Sequence, residues 1–300
     1  MYQPLITIVL TTYNRAHLIG KTLDSILAQT YKSWECIIID DNSIDNTKAI
    51  VNGYAEKESR IEYILKEKQI NKGLPASRNM GIRKAKGRYL VFFDDDDIVH
   101  PQLIELCVGS FKEKDLDFVH YKKQSFEGEF NAVFSLYNSL ENLIILKGTH
   151  YEKVILGNLP LASCTVVWKT KIFQENFFNE ELMYAEEWEC YSRILIENKL
   201  VGAYLNIPLY FNRKHLQSNT GEFWSNDFLR KESYIKAHIL LLNILVENNK
   251  LNRKLKMFFL QKAYSLKSKK IIAPLLVHSL KYRVLFFIYP IKLSLYKMFK

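Results

Sequence analysis

Short apolar runs alternate with helix-like segments through residues 5–101, and this alternation limits the fold more than any other feature of the sequence. Leu5–Leu10 has the composition of a buried strand, and Leu18–Leu27 carries apolar residues at the spacing of one helix face. Three more strand–helix pairs follow, with strands predicted at Glu35–Ile39, Ile61–Leu65 and Tyr89–Phe93. Parallel strands need such crossover helices. The sequence therefore predicts an α/β fold with a mainly parallel, Rossmann-like sheet flanked by helices.

The charge of the chain is divided unevenly between its two ends. The 300 residues carry a net charge of +10, yet Asn248–Lys300 alone holds thirteen Lys and Arg and no acidic residue, which leaves −3 on residues 1–247. The strand–helix alternation also weakens beyond residue 121, and Phe228–Lys300 has a mostly helical pattern. We predict a boundary near residue 225, between an α/β domain (1–225) and a basic helical C-terminal extension (226–300).

The cysteines and the apolar stretches favour a cytoplasmic protein. Cys36, Cys107, Cys164 and Cys190 are far apart and form no Cys-x-x-Cys pair, so we expect reduced thiols and no zinc site. The first residues lack the pattern of a signal peptide. The stretches IIAPLLV and VLFFIYPI are much shorter than the ~20 residues that span a bilayer. We therefore expect no transmembrane helix.

Four consecutive aspartates, Asp94–Asp97, directly follow the fourth predicted strand. Adjacent carboxylates repel one another, so the cluster needs a compensating cation. Ligands of open α/β sheets bind at the carboxyl ends of strands, and a divalent ion is the natural cation there. In an extended segment, Asp94 and Asp96 face one side and Asp95 the other. The alternatives are a solvated acidic turn or a helix cap ahead of Pro101.

Two other predicted strands end in polar side chains. The first ends in Thr11-Thr12-Tyr13-Asn14-Arg15, and the second in Asp40-Asp41-Asn42-Ser43. Because the carboxyl ends of parallel strands share one edge of the sheet, these side chains and the aspartates are predicted to line one cleft. Ser43 is also predicted to cap the helix that follows the second strand.

The segments TTYNR, SILAQTYKSWECIIIDDNSIDNT and NKGLPASRNMGIRKAKGRYLVFFDDDD occur in this order. Over residues 5–101 they resemble the nucleotide-sugar domain of family 2 inverting glycosyltransferases, which have the GT-A fold. The resemblance implies transfer of a sugar from a nucleotide diphosphate, with a UDP-sugar as donor, to a hydroxyl of a glycan or lipid-linked acceptor. It also implies a nucleotide-sugar-binding half (1–101), an acceptor-binding half (102–225) and a bacterial surface-glycan pathway.

The resemblance assigns roles to the donor-site residues. Thr11 and Tyr13 embrace the nucleobase, and Asp41 hydrogen-bonds the uracil. Arg78 belongs to the family pattern N-x-G-x-x-x-A-R-N-x-G and contacts the diphosphate, although Ser77 stands where alanine is usual. The alternative for Arg78 is an ordinary surface arginine on a helix.

The resemblance also implies a metal site in the acidic cluster. Asp95 touches the ribose, Asp96 binds the metal and Asp94 supports it. Mn²⁺ or Mg²⁺ suits an oxygen-rich site that shares diphosphate oxygens. His215, in Arg213-x-His215, resembles a histidine that reaches back to the metal or the diphosphate, whereas a lone histidine is often a packed or surface residue.

Inverting transfer needs a base that removes the proton of the acceptor hydroxyl. The family places it in a Glu-Asp pair ahead of an aromatic-rich helix, and here the pair is Glu186-Glu187, so the resemblance implies Glu187 as the base. Glutamate is one methylene longer than the usual aspartate. The alternative is an acidic first turn that stabilises the helix dipole.

Other classes of function have less support. The chain has no GxGxxG and no P-loop, which argues against NAD and ATP sites. A nucleic-acid binder would explain a basic tail, yet this tail mixes its charges with Leu, Ile and Phe, and we expect no nucleic acid. A nucleotide-sugar-binding protein without catalysis remains the second alternative.

The basic tail predicts attachment to an anionic membrane surface. Its segments LKMFFL, YRVLFFIYPI and LSLYKMF place apolar residues beside Lys and Arg, as in interfacial helices. We therefore expect a peripheral enzyme on the inner face of the cytoplasmic membrane. The alternative is that these helices pack on the catalytic domain or form a homodimer interface.

Overall fold

The computed structural model describes residues 3–67, 73–131, 133–137, 143–146, 150–214 and 227–276. The first seven elements are β1 (Ile6–Thr12), α1 (Ile19–Leu27), β2 (Trp34–Asp40), α2 (Thr47–Ala55), β3 (Ile61–Leu65), α3 (Leu74–Lys84) and β4 (Tyr89–Asp94). Each of these strands lies within two residues of its predicted bounds. The strand–helix alternation predicted for this part of the chain is confirmed.

The remaining elements alternate less regularly. They are β5 (Ile98–Val99), α4 (Leu103–Glu113), β6 (Phe118–Phe126), β7 (Leu143–Ile145), α5 (His150–Ile155), β8 (Val166–Lys169), α6 (Glu186–Glu197), β9 (Gly202–Arg213), α7 (Phe228–Glu247) and α8 (Arg253–Ser265). Strands β1 to β9 form a single sheet in the order β3-β2-β1-β4-β8-β6-β9-β5, with β7 paired to β9.

The sheet has a parallel part and a mixed part. β3, β2, β1 and β4 run parallel, in the order expected from their crossover helices. β8 is antiparallel to both β4 and β6, and β6 is parallel to β9. The α/β class is therefore confirmed, and the parallel arrangement belongs to the half of the sheet that carries the predicted cleft.

β1 is the central strand of the parallel part, and all seven of its residues are buried. A strand covered by helices on both faces has this composition. Helix α3 packs against β1 at Gly81, where a Cβ atom would lie only 2.4 Å from Cγ1 of Val9. Only a glycine allows this approach, so Gly81 sets the distance between α3 and β1.

The chain divides into two compact units. Unit 1 comprises Met1–Gly148, Leu161–Glu180 and Leu200–Gly221, and unit 2 comprises Thr149–Pro160, Glu181–Lys199 and Glu222–Lys300. Composition places a single boundary near residue 225, whereas the contacts also assign two earlier segments to unit 2. The reason is a shared apolar core, in which Ile155 and Ile196 pack with Leu241 and Leu245.

Unit 2 buries many of the apolar residues of the basic extension that the structure describes, although Phe228, Leu229 and Met257 are exposed. Leu255, Phe259 and Ala263 of α8 are buried, as are Ile271 and Ile272 after it. Five basic side chains in the same stretch are exposed: Arg253, Lys254, Lys267, Lys269 and Lys270. Among the described residues, no helix combines the length and apolar composition needed to cross a bilayer.

Candidate active site

The predicted cleft lies in unit 1, at the carboxyl ends of β1, β2 and β4. Thr12 of β1 is paired with Asp40 of β2, and Thr11 is paired with Asp94 of β4. The polar residues that follow the three strands therefore start from adjacent positions. Thr11 is buried, whereas the ring of Tyr13 is 52% exposed and available to a ligand.

Side chains from the other two strand ends hold the segment after β1. Thr47 Oγ1 accepts a hydrogen bond from the backbone N–H of Arg15 at 2.9 Å, and Ser43 Oγ accepts from that of Asn14 at 2.9 Å. The prediction that Ser43 caps a helix is wrong, because α2 begins at Thr47 and Ser43 is used by this loop. The guanidinium of Arg15 lies 3.5 Å from Asp95.

The two aspartates after β2 have different partners. Asp40 is fully buried and accepts hydrogen bonds from the Ser43 N–H at 2.7 Å and from the Tyr63 hydroxyl at 2.8 Å. Asp41 lies 2.5 Å from Nζ of Lys66, and its side chain stays 16% exposed. Asp40 is therefore a structural residue, and Asp41 is the aspartate with a surface toward the cleft.

Arg78 is enclosed in unit 1 and is not an ordinary surface arginine. Its side chain is only 2% exposed, and its Nη2 atom lies 3.5 Å from a carboxylate oxygen of Asp94. The guanidinium carbon lies 5.9 Å from the ring centroid of Phe92 and 5.5 Å from that of Phe178. The aromatic rings fix the cation beside the acidic loop, where it can hold phosphate oxygens.

The acidic loop Asp94–Asp97 alternates in burial. Asp94 and Asp96 are half-buried, whereas Asp95 and Asp97 are buried. Burial raises the pKa of Asp95 to about 7, and the neighbouring carboxylate of Asp96 contributes in the same direction. Burial and the neighbouring carboxylates of Asp94 and Asp96 raise the pKa of Asp97 well above its usual value. The loop thus concentrates acidic groups that the fold compensates only in part.

The end of β9 holds the acidic loop in place. The hydroxyl of Tyr210, which is fully buried, accepts a hydrogen bond from the Asp94 N–H at 3.0 Å and donates one to the Asp97 carboxylate. The Arg213 N–H donates to Asp97 at 2.7 Å, and its Nε donates to the Asp96 carbonyl at 3.1 Å. The loop is therefore preorganised by a strand that is distant in sequence.

The acidic loop has the chemistry of a divalent metal site. Carboxylate oxygens of Asp94 and Asp97 and the Sγ of Cys164 lie within 4.8 Å of one another. Mn²⁺ and Mg²⁺ prefer oxygen ligands, and Asp97 is already bound by Tyr210 and Arg213. The half-buried carboxylates of Asp94 and Asp96 therefore suit an ion that also takes oxygens from a ligand. The assignment of the metal to Asp96 stays a prediction.

The predicted base lies in unit 2. Helix α6 begins at Glu186, after Ala185 in a left-handed conformation (φ 63°). Glu186 is 4% exposed, whereas Glu187 is only half-buried, so Glu187 is the more accessible carboxylate of the pair. Glu189, two residues beyond Glu187, is buried and paired with Arg193 at 2.8 Å. His215 lies outside the described residues, and its role stays a prediction.

Three residues of the site escaped the sequence analysis. They are Lys66, Asp97 as a buried member of the loop, and Tyr210. Lys66 follows a short strand and Tyr210 lies inside a long one, so neither belongs to a motif. The unusual serine at position 77 was noted, and its hydroxyl accepts from Lys66 at 3.1 Å.

The family of the chain follows from its sequence. The family described as "Glycosyl transferase family 2" matches residues 7–177, more than half of the chain. The chain belongs to this family, as the resemblance implied. An uncharacterised glycosyltransferase of Rickettsia conorii is 31% identical over 199 residues, which cover 66% of this chain and 31% of that protein. This chain thus spans about a third of that relative.

Other relatives have described activities or ligands. The Escherichia coli UDP-Glc:alpha-D-GlcNAc-diphosphoundecaprenol beta-1,3-glucosyltransferase WfgD is 26% identical over 196 residues, covering 65% of this chain and 72% of that protein. Staphylococcus aureus TarS 1–349, in complex with UDP-GlcNAc, matches with a TM-score of 0.67 and 19% identity over 90% of this chain and 79% of that one.

A second solved structure contains a metal. The mannosyltransferase PcManGT from Pyrobaculum calidifontis, in complex with GDP-Man and Mn²⁺, matches with a TM-score of 0.59 and 18% identity over 99% of this chain and 82% of that one. At these identities the likeness to both structures establishes the fold alone. The predicted GT-A fold is confirmed.

Proposed function

We propose that the chain transfers a sugar, with inversion, from a UDP-sugar to a hydroxyl of a glycan or lipid-linked acceptor, in a reaction that depends on Mn²⁺ or Mg²⁺. The observation that carries the proposal is the arrangement at one edge of the sheet. An accessible aspartate (Asp41) and a half-buried acidic loop follow the ends of β2 and β4, and an enclosed arginine of α3 (Arg78) lies 3.5 Å from Asp94 of that loop. Asp41 suits a nucleobase, Arg78 suits a diphosphate and the acidic loop suits a divalent ion.

The donor site uses residues that the fold holds in place before a ligand arrives. Tyr13 offers an exposed ring to the nucleobase, and Asp41 offers a carboxylate to a base N–H. Arg78 is proposed to bind the diphosphate, and Asp95, which contacts Arg15, to bind the ribose. TarS binds UDP-GlcNAc on the same fold, which supports a uridine nucleotide as donor.

The chemistry of transfer needs a stabilised leaving group and an activated acceptor. A divalent ion held by Asp94 and Asp96 would neutralise charge that develops on the departing diphosphate. Arg78 adds a permanent positive charge, because its guanidinium cannot lose its proton at physiological pH. Glu187 is proposed to take the proton of the acceptor hydroxyl, since it is the accessible member of the acidic pair at the start of α6.

The acceptor is proposed to belong to bacterial surface-glycan synthesis. WfgD, a relative of this chain, acts on a sugar linked to diphosphoundecaprenol, which supports a lipid-linked acceptor. The exposed basic residues of unit 2 support residence on an anionic membrane surface, on the inner face of the cytoplasmic membrane. Because most apolar residues of α8 pack in the core of unit 2 and Met257 alone among them is exposed, we propose attachment by charge and not by deep insertion.

The enzymatic part of the proposal is tested with a panel of nucleotide sugars and Mn²⁺. We expect hydrolysis of a UDP-sugar that stops on chelation, and a loss of roughly 10²–10⁴-fold in transfer for Glu187→Gln with normal UDP binding. The matched control is Glu186→Gln. If transfer is lost in Glu186→Gln and kept in Glu187→Gln, Glu186 is the base. If the unchanged protein binds UDP-sugars without any turnover, it is a nucleotide-sugar-binding protein that is not an enzyme.

The membrane part is tested by co-sedimentation with anionic and neutral vesicles. We expect the full chain to sediment with anionic vesicles at low salt and to be released by salt, because each basic residue near the surface contributes roughly 1 kcal/mol. Replacing Lys267, Lys269 and Lys270 with Gln should weaken sedimentation. If the unchanged chain stays in solution with anionic vesicles at low salt, the extension serves protein packing or a dimer interface.

A further inference from the structure

Lys66 is a fully buried lysine at the edge of the candidate donor site. It directly follows β3, and its side chain is 0% exposed. Its backbone N–H donates to the carbonyl of Asp40 at 2.9 Å, and this hydrogen bond holds the backbone of Lys66 beside the end of β2. Lysine is almost never buried to this extent unless its charge is paired. Its enclosure therefore indicates a specific task for the ammonium group.

The ammonium group of Lys66 has two partners among the described residues. Nζ lies 2.5 Å from Oδ1 of Asp41 and donates to Oγ of Ser77 at 3.1 Å. The other oxygen of Asp41, Oδ2, accepts from the Gly73 N–H at 2.7 Å. Both oxygens of Asp41 are thus held by donors of the protein. A carboxylate held at both oxygens has one orientation.

Lys66 and Asp41 differ in exposure, and this difference indicates which of them can contact a ligand. The side chain of Lys66 has no accessible surface, so it has no surface for direct contact with a ligand. The side chain of Asp41 remains 16% exposed and can therefore contact a ligand. Lys66 therefore acts through Asp41.

We propose that Lys66 is a positioning residue that holds the Asp41 carboxylate in one orientation, so that the donor site favours a nucleobase whose ring nitrogen on the pairing edge carries a hydrogen. The inference rests on the proposed function, in which Asp41 faces the base. Uracil offers N3–H to a carboxylate, whereas cytosine offers the lone pair of N3. An ionised carboxylate accepts from the first and repels the second.

The two contacts that hold Asp41 make this selection. They fix the direction in which its carboxylate oxygens accept, and this direction suits a ring N–H and not the lone pair of cytosine N3. Without the ammonium group of Lys66, Oδ1 of Asp41 loses its partner at 2.5 Å and the carboxylate can turn away from the base. Removing Lys66 should therefore reduce both the affinity for UDP and the preference for UDP over CDP.

The experiment measures the Kd of UDP and of CDP by calorimetry at one Mn²⁺ concentration. The two ligands share ribose and diphosphate, so contributions from the metal and from Arg78 cancel in the ratio. For Lys66→Met we expect UDP to bind roughly 10–100-fold more weakly, as for loss of a charged hydrogen bond, and the ratio to shrink. The control Lys169→Met removes a lysine of unit 1 that lies 2.7 Å from Asp115, and should leave the ratio unchanged.

Two further variants separate charge from packing. Lys66→Arg keeps the cation and should keep most of the preference for UDP. The double variant Asp41→Asn with Lys66→Met removes both charges, which a fold tolerates better than one unpaired charge. We expect its loss of UDP affinity to be smaller than the two single losses combined, as for residues in contact.

The results distinguish this inference from the proposed function. If the unchanged protein binds UDP and CDP equally, or neither, the uridine donor is wrong. If it prefers UDP and Asp41→Asn abolishes the preference, but Lys66→Met keeps it as Lys169→Met does, the role of Lys66 is wrong. If the losses of UDP affinity in Asp41→Asn and Lys66→Met add up to the loss in the double variant, the two residues are not coupled and the inference is also wrong. If Lys66→Met does not fold, Lys66→Arg is the test instead. Loss of the preference for UDP over CDP in Lys66→Arg would then refute the role assigned to the cation of Lys66.

Discussion

Two strand ends of unit 1 carry adjacent aspartates, and the fold treats them differently. After β2, Asp40 and Asp41 are each held by donors of the protein, from Ser43 and Tyr63 on one side and from Lys66 on the other. After β4, the acidic loop has four carboxylates, and the raised pKa values of Asp95 and Asp97 result from burial without sufficient compensation.

Repulsion between close carboxylates is a cost that the fold can remove with its own cations or that a bound ion can remove. Lys66 compensates Asp41 after β2, whereas Arg15 and Arg78 compensate only part of the acidic loop after β4. We propose that a divalent ion supplies the remaining compensation at the second end. We therefore expect substitutions at the first end to change stability or base selection, and those at the second to change metal-dependent turnover.

The largest expected effect comes from Asp96→Asn. Loss of a half-exposed metal ligand should lower Mn²⁺-dependent turnover roughly 10³-fold or more while the melting temperature stays close to that of the unchanged protein, because an ion supplies several kcal/mol to the transition state. Steady-state hydrolysis of the donor at increasing Mn²⁺ measures it.

Asp40→Asn is the matched control at the other strand end. It should lower the melting temperature, because a buried charged acceptor of two hydrogen bonds is lost, and leave the dependence on Mn²⁺ unchanged. Normal turnover of Asp96→Asn, or altered Mn²⁺ dependence of Asp40→Asn, would break the comparison.

A pair of tyrosines sharpens the comparison further. Tyr210→Phe leaves the Asp94 N–H and the Asp97 carboxylate without the buried hydroxyl, so we expect a loss of about 2–3 kcal/mol in unfolding free energy and a higher Mn²⁺ requirement. Tyr63→Phe removes one hydrogen bond to Asp40 and should cost about 1 kcal/mol with no change in Mn²⁺ requirement. Denaturant titrations and Mn²⁺ titrations of activity measure the two quantities. Equal Mn²⁺ requirements for both variants would contradict a positioning role for Tyr210.

The smallest expected effect is on thermal stability. Mn²⁺ at tenfold its Kd should stabilise the protein by about 1.4 kcal/mol, since the ion binds the folded state and relieves repulsion in the acidic loop. The increase in melting temperature should persist in Asp40→Asn and disappear in Asp96→Asn. Stabilisation of Asp96→Asn by the same Mn²⁺ concentration would place the ion elsewhere.

The parallel half of the sheet was predictable, because its strands carry continuous apolar runs between amphipathic helices. The proximity of the polar residues at the ends of β1, β2 and β4 was also predictable, since they follow parallel strands directly. The division into units was less accessible to sequence reasoning. The contribution of Ile155 and Ile196 to the core of unit 2 depends on contacts with helices far along the chain, and no local pattern encodes it.

The supporting residues of the site were not predictable for the same reason. Tyr210 reaches the acidic loop from β9, 116 residues beyond Asp94. Lys66 has no periodicity or motif, and a single lysine after a short strand is an ordinary surface residue in most sequences. The helix cap predicted at Ser43 failed because a loop distant in sequence offered Asn14 as a partner for its hydroxyl.

The close contact between Gly81 and Val9 has a consequence for the mutational tolerance of the enzyme. Any side chain at position 81 would collide with β1 and displace α3, which also carries Arg78. A saturation library should therefore find position 81 nearly as intolerant as position 78, although glycine has no group that touches a substrate. A side chain at position 81 of α3 would first require a residue smaller than valine at position 9, because the two positions are in direct contact.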